Sequence, residues 1–113
     1  MRITQSVPMS PELLHQAKNV GGLLARLRVA RGVKQTEAAL RAGLSRNTAY
    51  RLEKGDPGLA FGQILRYLDA IVPGKTLLDL LSETDPSLQS LAQRERTSRV
   101  RTLGKQAIKD LDF

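Results

Sequence analysis

The chain has 113 residues, of which 18 are basic and 11 acidic, and its net charge is +7. This length supports one folded unit with a single small core and excludes two enzyme-sized cores. Without cysteine there is no disulfide or thiolate metal site, and no apolar run approaches the roughly 20 residues of a membrane span. The N-terminus does not resemble a secretion signal, so we expect a cytoplasmic protein.

The positive charge is concentrated in one part of the chain. By itself, a net charge of +7 fits nucleic acid, an anionic membrane surface or an acidic protein as a partner. Residues 21–55 contain eight basic and two acidic residues, which gives this segment a net charge of +6. A binding surface for an anionic partner is therefore expected within these residues.

Residues 1–20 predict an N-terminal arm with a short helix, preceded by a flexible segment over residues 1–9. Ser10 is a suitable N-cap and Pro11 is tolerated at the first helical position, so this helix is expected to run to about Asn19. Gly21 and Gly22 then predict a bend or a new helix start, because each glycine costs on the order of 1 kcal/mol relative to alanine in a helix.

Apolar residues at helical spacing continue through the middle of the chain. They predict five helices, at residues 23–31, 35–41, 46–54, 62–71 and 77–81. Gly55 suits a left-handed C-cap, and Thr76 suits the N-cap of the last of the five. The leucines of that helix must be buried, and in so small a domain a second subunit is one possible partner.

The second and third of these helices are joined by a short turn typical of a helix-turn-helix that reads DNA. Gly43 occupies the position where the chain must turn with a positive φ. Ser45 follows as the N-cap, so that the third helix begins at Arg46.

From Ser82 the composition becomes polar and predicts a partly disordered tail. Asp85 and Pro86 are expected to interrupt the chain before a weak helix over residues 87–96. An arginine cluster follows, formed by Arg94, Arg96, Arg99 and Arg101. It can follow DNA phosphates, bind a partner protein or simply keep the tail in solution.

Residues 24–71 resemble the Xre family of phage-repressor-like helix-turn-helix regulators. The resemblance implies an all-α, five-helix repressor-like domain over residues 21–81, with the helical arm over 1–20 and the basic tail over 82–113. It rests on Leu27, Arg28, residues 30–33, Gln35, Ala39, residues 42–45 and residues 52–55. A weaker similarity of residues 57–71 to antitoxins of the HipB type implies a kinase-like toxin as a possible protein partner.

Some positions depart from that family pattern. Lys34 replaces the usual Ser or Thr cap of the second helix, and Leu40 occupies a site that is usually polar. Ala38 and Ala49 replace larger aliphatic residues. We expect the small side chains to let the two helices approach closely, with Leu40 or Tyr50 filling the remaining space.

The candidate base-reading residues lie on the third helix. When a helix lies in the major groove, the residues of its first turn and those one turn later on the same face reach the base edges. They are Arg46, Asn47, Tyr50 and Arg51, and the alternative for each is a solvated helix face. Candidate phosphate contacts are Gln35, which the family resemblance favours, and Thr36, Arg26, Lys34 and Lys54. The resemblance also implies a structural ion pair between Arg28 and Glu53.

No catalytic or cofactor site is predicted. His15 is the only histidine, and without cysteine or clustered acids it completes neither a metal site nor a nucleophile-base pair. We therefore expect a non-enzymatic, homodimeric regulator that binds double-stranded DNA, with no cofactor, metal or membrane. The alternative is an antitoxin that binds a toxin and regulates its own operon.

Overall fold

The computed structural model describes the backbone of residues 9–111 and the side chains of residues 9–100. The described residues form helices joined by turns and loops, with no strand, and this confirms the predicted all-α class. Its six helices are α1 (Pro11–Ala30), α2 (Gln35–Ala42), α3 (Arg46–Glu53), α4 (Phe61–Ile71), α5 (Leu77–Ser82) and α6 (Pro86–Leu111).

Local capping signals mark the start of α1, the end of α3 and the start of α5 where the sequence predicts. The Ser10 hydroxyl accepts a hydrogen bond from the Leu13 amide at 3.2 Å, and Thr76 accepts one from the Asp79 amide at 3.1 Å. Gly55 follows α3 with φ +79°, in the left-handed region that favours glycine. These positions therefore follow from local chemistry.

The predicted break at Gly21 and Gly22 is wrong, because α1 continues through both residues. Gly21 is buried where α1 crosses the end of α3. A Cβ atom on Gly21 would lie 2.5 Å from the Leu52 carbonyl oxygen and 2.7 Å from the Gly55 nitrogen. Glycine here permits close contact between two backbones, so the arm helix and the first predicted helix of the domain form one element.

The core is formed mainly by α1, α2, α3 and α4, with α2 packed against both α3 and α4 and α1 packed across α3. The three small residues Ala38, Ala39 and Ala49 are buried, at most 1% exposed. The expectation that Leu40 or Tyr50 fills the space beside them is wrong, since these side chains are 81% and 52% exposed. The three alanines instead belong to the same buried cluster as side chains of α1 and α4.

The polar segment after Ser82 contains a helix longer than the weak one predicted over residues 87–96. Asp85 and Pro86 do not interrupt the chain but begin α6, with the Asp85 side chain accepting from the Ser87 amide at 2.9 Å. Leu88 is 6% exposed and joins the core, so α6 packs against α1. The expected flexible segment over residues 1–9, apart from Met9, and the side chain of Arg101 lie outside the described residues.

Candidate nucleic-acid interface

The turn between α2 and α3 has the backbone that the sequence predicts. Gly43 adopts φ 70° and ψ 30°, the left-handed conformation that reverses the chain. The Ser45 hydroxyl accepts from the Thr48 amide at 3.0 Å and thereby caps α3. Because both features are local, α3 leaves the turn in a defined direction.

One side of α3 is exposed and the other is buried. Ala49 and Leu52 are buried in the core. The four candidate base-reading side chains, Arg46, Asn47, Tyr50 and Arg51, are all exposed. Their spacing places them on one face of the helix, so the structure brings this predicted set together.

Two of these side chains are oriented by neighbours. Arg51 donates from Nε to an Asp56 carboxylate oxygen at 2.7 Å, and the Gly58 amide donates to the other oxygen at 2.8 Å. The Gly58 hydrogen bond and then the Arg51 contact lower the pKa of Asp56. The Lys54 ammonium lies 5.4 Å from the centre of the Tyr50 ring, within cation–π range.

The basic side chains of residues 21–55 differ in whether they already have an acidic partner. Arg26, Arg28, Arg31, Arg41 and Arg51 are each paired with a carboxylate. Among the side chains that the structure describes, no carboxylate pairs with Lys34, Arg46 or Lys54, and these three are exposed. Within residues 21–55, the cations without an acidic partner therefore belong to the helix-turn-helix or to the residues that flank it.

The candidate phosphate contacts do not all share one surface. Lys34 precedes α2 without making a side-chain cap, Gln35 begins the helix, and Thr36 is exposed beside it. Arg26 instead forms a two-point ion pair with Glu95 of α6, at 2.8 and 3.2 Å. Since both terminal nitrogens of Arg26 contact Glu95, we leave this residue out of the interface.

Behind the exposed face, Arg28 and Glu53 form a largely buried ion pair between α1 and α3. The Arg28 guanidinium donates to both carboxylate oxygens, at 2.6 and 3.0 Å, and to the Val33 carbonyl at 2.9 Å. The Tyr67 hydroxyl of α4 donates to the same carboxylate. This network connects three helices and supports α3 from the side opposite its exposed face.

Tyr67 is a structural residue that the sequence argument did not single out. It is fully buried, and its burial together with the Glu53 carboxylate raises the pKa of the hydroxyl. A buried tyrosine hydroxyl needs a hydrogen-bond partner, so a tyrosine on the apolar face of α4 could have indicated from the sequence that a polar group lies near it.

A second missed centre is the buried carboxylate of Asp85, which is 2% exposed. It accepts from Arg31, the C-cap residue of α1, at 2.6 Å and lies 2.9 Å from the Lys75 ammonium. Burial alone raises the pKa of Asp85, but the contacts from Ser87, Arg31 and Lys75 outweigh it and hold the pKa well below its usual range. An aspartate before a proline is a helix N-cap signal, and it could have located the start of α6.

His15 is exposed on α1. Over the side chains at 9–100, no group of three or more His, Cys, Asp or Glu residues is arranged to hold a metal ion. None of the described helices combines the length and the apolar character required to cross a membrane.

Comparison with known proteins agrees with this geometry. The profile of a family described as Helix-turn-helix domain matches residues 19–81, which is more than half of the chain. No curated protein and no solved structure matches at a significant level. The matched segment begins within α1 and ends within α5, and it includes the turn and the exposed face of α3. The chain therefore belongs to the helix-turn-helix domain family of DNA-binding regulators.

Proposed function

We propose that the protein is a sequence-specific transcriptional regulator, a homodimeric repressor that reads an inverted-repeat operator through α3. The observation that carries this proposal is the exposed face of α3, with Arg46 at its first position and Asn47 beside it. A bound dimer on such an operator represses transcription by occupying the DNA that the polymerase needs.

The position of Arg46 supports a role in binding rather than in folding. The amino end of a helix carries a partial positive charge, and a cation there is unfavourable by some tenths of a kcal/mol. The first turn of α3 contains no acidic residue to offset this. Because the side chain is exposed and lacks a described acidic partner, it is available to a ligand.

The residue types suit base edges in the major groove. An arginine donates two parallel hydrogen bonds to O6 and N7 of guanine, and an asparagine exchanges two with N6 and N7 of adenine. Each such pair discriminates against the wrong base by about 1–3 kcal/mol. Tyr50 adds a ring that can contact a thymine methyl group or a phosphate.

Phosphate contacts would come from the start of α2 and the end of α3. Helix amino ends present N–H groups that lack intrahelical partners, and these bind anionic oxygens. Gln35, Thr36 and Lys34 lie at this end of α2, and Lys54 follows α3. These contacts release counterions, so the proposed affinity falls steeply with salt concentration.

A second copy is part of the proposal because one helix reads only a few base pairs. Two copies related by a two-fold axis place their recognition helices about one DNA turn apart, roughly 34 Å. The two half-sites then multiply discrimination and double the phosphate contacts.

The experiment begins with selection of preferred sequences from a random duplex pool, followed by competition assays. Arg46→Ala should relax the preference at one base position of each half-site while leaving the free energy of unfolding unchanged or slightly higher. Arg41→Ala is the matched control, since it removes an equal charge from an arginine already paired with Glu37. Failure to enrich any sequence, or equal effects of the two variants, would refute the assignment.

An antitoxin role is the second candidate, favoured by one observation on α6. Every residue from Arg96 to Val100 is exposed, so this part of the helix presents a basic surface to solvent. A toxin that co-purifies with the full chain, and is lost when residues 96–113 are deleted, would support this role. DNA binding would then serve autoregulation.

A further inference from the structure

The loop that follows α3 places one carboxylate against a candidate base-reading arginine. Asp56 accepts from Nε of Arg51 at 2.7 Å, and its other oxygen accepts from the Gly58 amide at 2.8 Å. Because Gly58 belongs to the same loop, its amide fixes the carboxylate relative to the end of α3. The Arg51 side chain is 44% exposed and the Asp56 side chain 30% exposed, so the pair lies at the surface of the helix-turn-helix.

Arg51 uses its guanidinium differently from the other paired arginines of residues 21–55. It donates to its carboxylate through Nε alone. Each of the others donates through at least one terminal nitrogen, and these are Arg26, Arg28, Arg31 and Arg41. Within the described side chains, the two terminal nitrogens of Arg51 make no hydrogen bond, so they remain available as a pair of parallel donors.

The two remaining donors of Arg51 match the edge of a guanine. An arginine fork donates parallel hydrogen bonds to O6 and N7 of that base in the major groove. Arg51 lies one turn after Asn47 on the same exposed face of α3, so both side chains face the same ligand surface. The Nε contact with Asp56 leaves the fork usable, whereas the pair of Arg26 with Glu95 occupies both terminal nitrogens.

The carboxylate also restricts the conformation of the arginine before any DNA is bound. A long arginine side chain loses rotational freedom on binding, and a contact already made in the unbound protein lowers that cost. An arginine held at Nε is also hindered from turning toward a phosphate when the guanine is replaced by another base. Both effects favour selectivity for guanine over general affinity.

The negative charge of Asp56 by itself opposes DNA binding. A carboxylate beside a duplex repels the phosphates, so it lowers the affinity for every sequence alike. The Gly58 and Arg51 contacts lower the pKa of Asp56, so the group is ionised at neutral pH. Removal of this charge is therefore expected to raise the affinity, and a loss of base preference on its removal has to come from Arg51.

We propose that Asp56 is a positioning residue of the DNA-reading surface, which holds Arg51 through Nε so that its terminal nitrogens donate to O6 and N7 of a guanine in each half-site. This inference rests on the proposed function, since it names the base that the second turn of α3 reads. Asp56 itself does not contact the DNA and acts only through Arg51.

The test selects preferred sequences and then measures competition for the wild type, Arg51→Ala, Asp56→Ala and the double variant. The wild type should prefer guanine at one position of each half-site by about 5- to 150-fold, the range of a two-point arginine contact. Arg51→Ala should abolish this preference, and Asp56→Ala should reduce it by about threefold or more. In the double variant, loss of Asp56 should have no further effect on the preference, because the two residues act as one unit.

Glu37→Ala is the matched control, since it removes an equal charge from another surface ion pair of the helix-turn-helix, the one with Arg41. Both acidic substitutions should raise the affinity for every duplex, but only Asp56→Ala should change the base preference. Weaker binding of all sequences alike by Asp56→Ala, with the preference intact, would assign Arg51 to a phosphate and overturn the proposal. Loss of preference at every position of the half-site would also overturn it, because it would show a general distortion of α3.

Asp56→Asn guards against such a distortion by alanine. Its amide oxygen can still accept from the Gly58 amide, but it lacks the charge and the second acceptor that Arg51 requires, so it should give the same loss of guanine preference. In the unbound protein, the NMR resonance of the Arg51 Nε–H should shift when Asp56 is replaced, and an unchanged resonance would overturn the proposal.

The outcomes separate this inference from the proposed function. If the wild type enriches no sequence, the proposed function fails and the role of Asp56 fails with it. If the wild type prefers guanine through Arg51 and both Asp56 variants keep that preference, the proposed function stands and only the positioning role is wrong.

Discussion

Substitution of Gly21 and Gly22 by alanine should change stability in opposite directions, although the two glycines are adjacent in one helix. A Cβ on Gly21 would lie 2.5, 2.7 and 2.9 Å from three backbone atoms, which belong to Leu52, Gly55 and Glu53. A Cβ on Gly22 would meet nothing within 4 Å. The pair therefore separates the intrinsic preference of a helix for alanine from the packing between α1 and α3.

The two effects differ in size. Alanine is favoured over glycine within a helix by about 1 kcal/mol, and Gly22→Ala should gain most of this. Gly21→Ala gains the same amount, but its Cβ would clash with the backbone at the end of α3. No side-chain rotation can relieve this clash, so α1 must move. Overpacking of this kind costs about 1–3 kcal/mol, and more where the contact is rigid. We expect Gly21→Ala to be less stable than the wild type and about 2 kcal/mol or more below Gly22→Ala.

Urea denaturation followed by circular dichroism measures this difference directly. In a thermal scan, about 2 kcal/mol corresponds to a separation of roughly 10 °C between the two melting temperatures for a domain of this size. Equal stability of Gly21→Ala and Gly22→Ala would show that the backbone of α1 at Gly21 does not lie in close contact with the end of α3.

Three further predictions concern the buried network, the start of α6 and the turn. Glu53→Gln should lower the free energy of unfolding by about 3 kcal/mol, because it leaves the partly buried guanidinium of Arg28 without a charged partner. Urea titration measures this loss. A loss below about 0.5 kcal/mol, which is the size expected of an ordinary surface substitution, would contradict the prediction. The pKa of Asp85 is lower in the folded state than in the unfolded state, where an aspartate has a pKa of about 3.9. The ionised carboxylate therefore contributes its full stability above about pH 3.9. This contribution is lost as the pH falls toward the pKa of the folded state. The stability difference between wild type and Asp85→Asn should therefore narrow below about pH 4, and a difference that stays constant from neutral pH down to about pH 2.5 would argue against the depressed pKa. Ser45→Ala should cost about 1 kcal/mol by removing the acceptor of the Thr48 amide, and Ser45→Thr should restore most of this loss in the same titration.

The helix-turn-helix could be predicted from the sequence because its signals are local. The positive φ of Gly43 and the cap at Ser45 depend on residues within three positions of each other. The periodic apolar pattern fixed the buried side of each helix, and the exposed face of α3 followed from it. The net charge of +6 over residues 21–55 then indicated an anionic partner.

The partners of individual side chains were less accessible to sequence reasoning. Arg26 had the charge and the neighbourhood of a phosphate contact, but Glu95, 69 positions later, occupies it. Leu40 had the size to fill a gap beside small residues, but those residues pack in a cluster with α1 and α4, and the Leu40 side chain is exposed. The sequence shows which charged and apolar side chains are present, but tertiary packing determines which of them are in contact.

The sequence by itself determined the helical class, the turn between α2 and α3, and the exposed position of Arg46, Asn47 and Arg51 on α3. Tertiary structure decided that Gly21 is a crossing point rather than a break, and that Asp85 joins the end of α1 to the start of α6. The physical reason is the range of the interactions: caps and periodicity act within one or two turns, whereas a close backbone approach or a buried ion pair needs segments that are distant in the chain to be packed together.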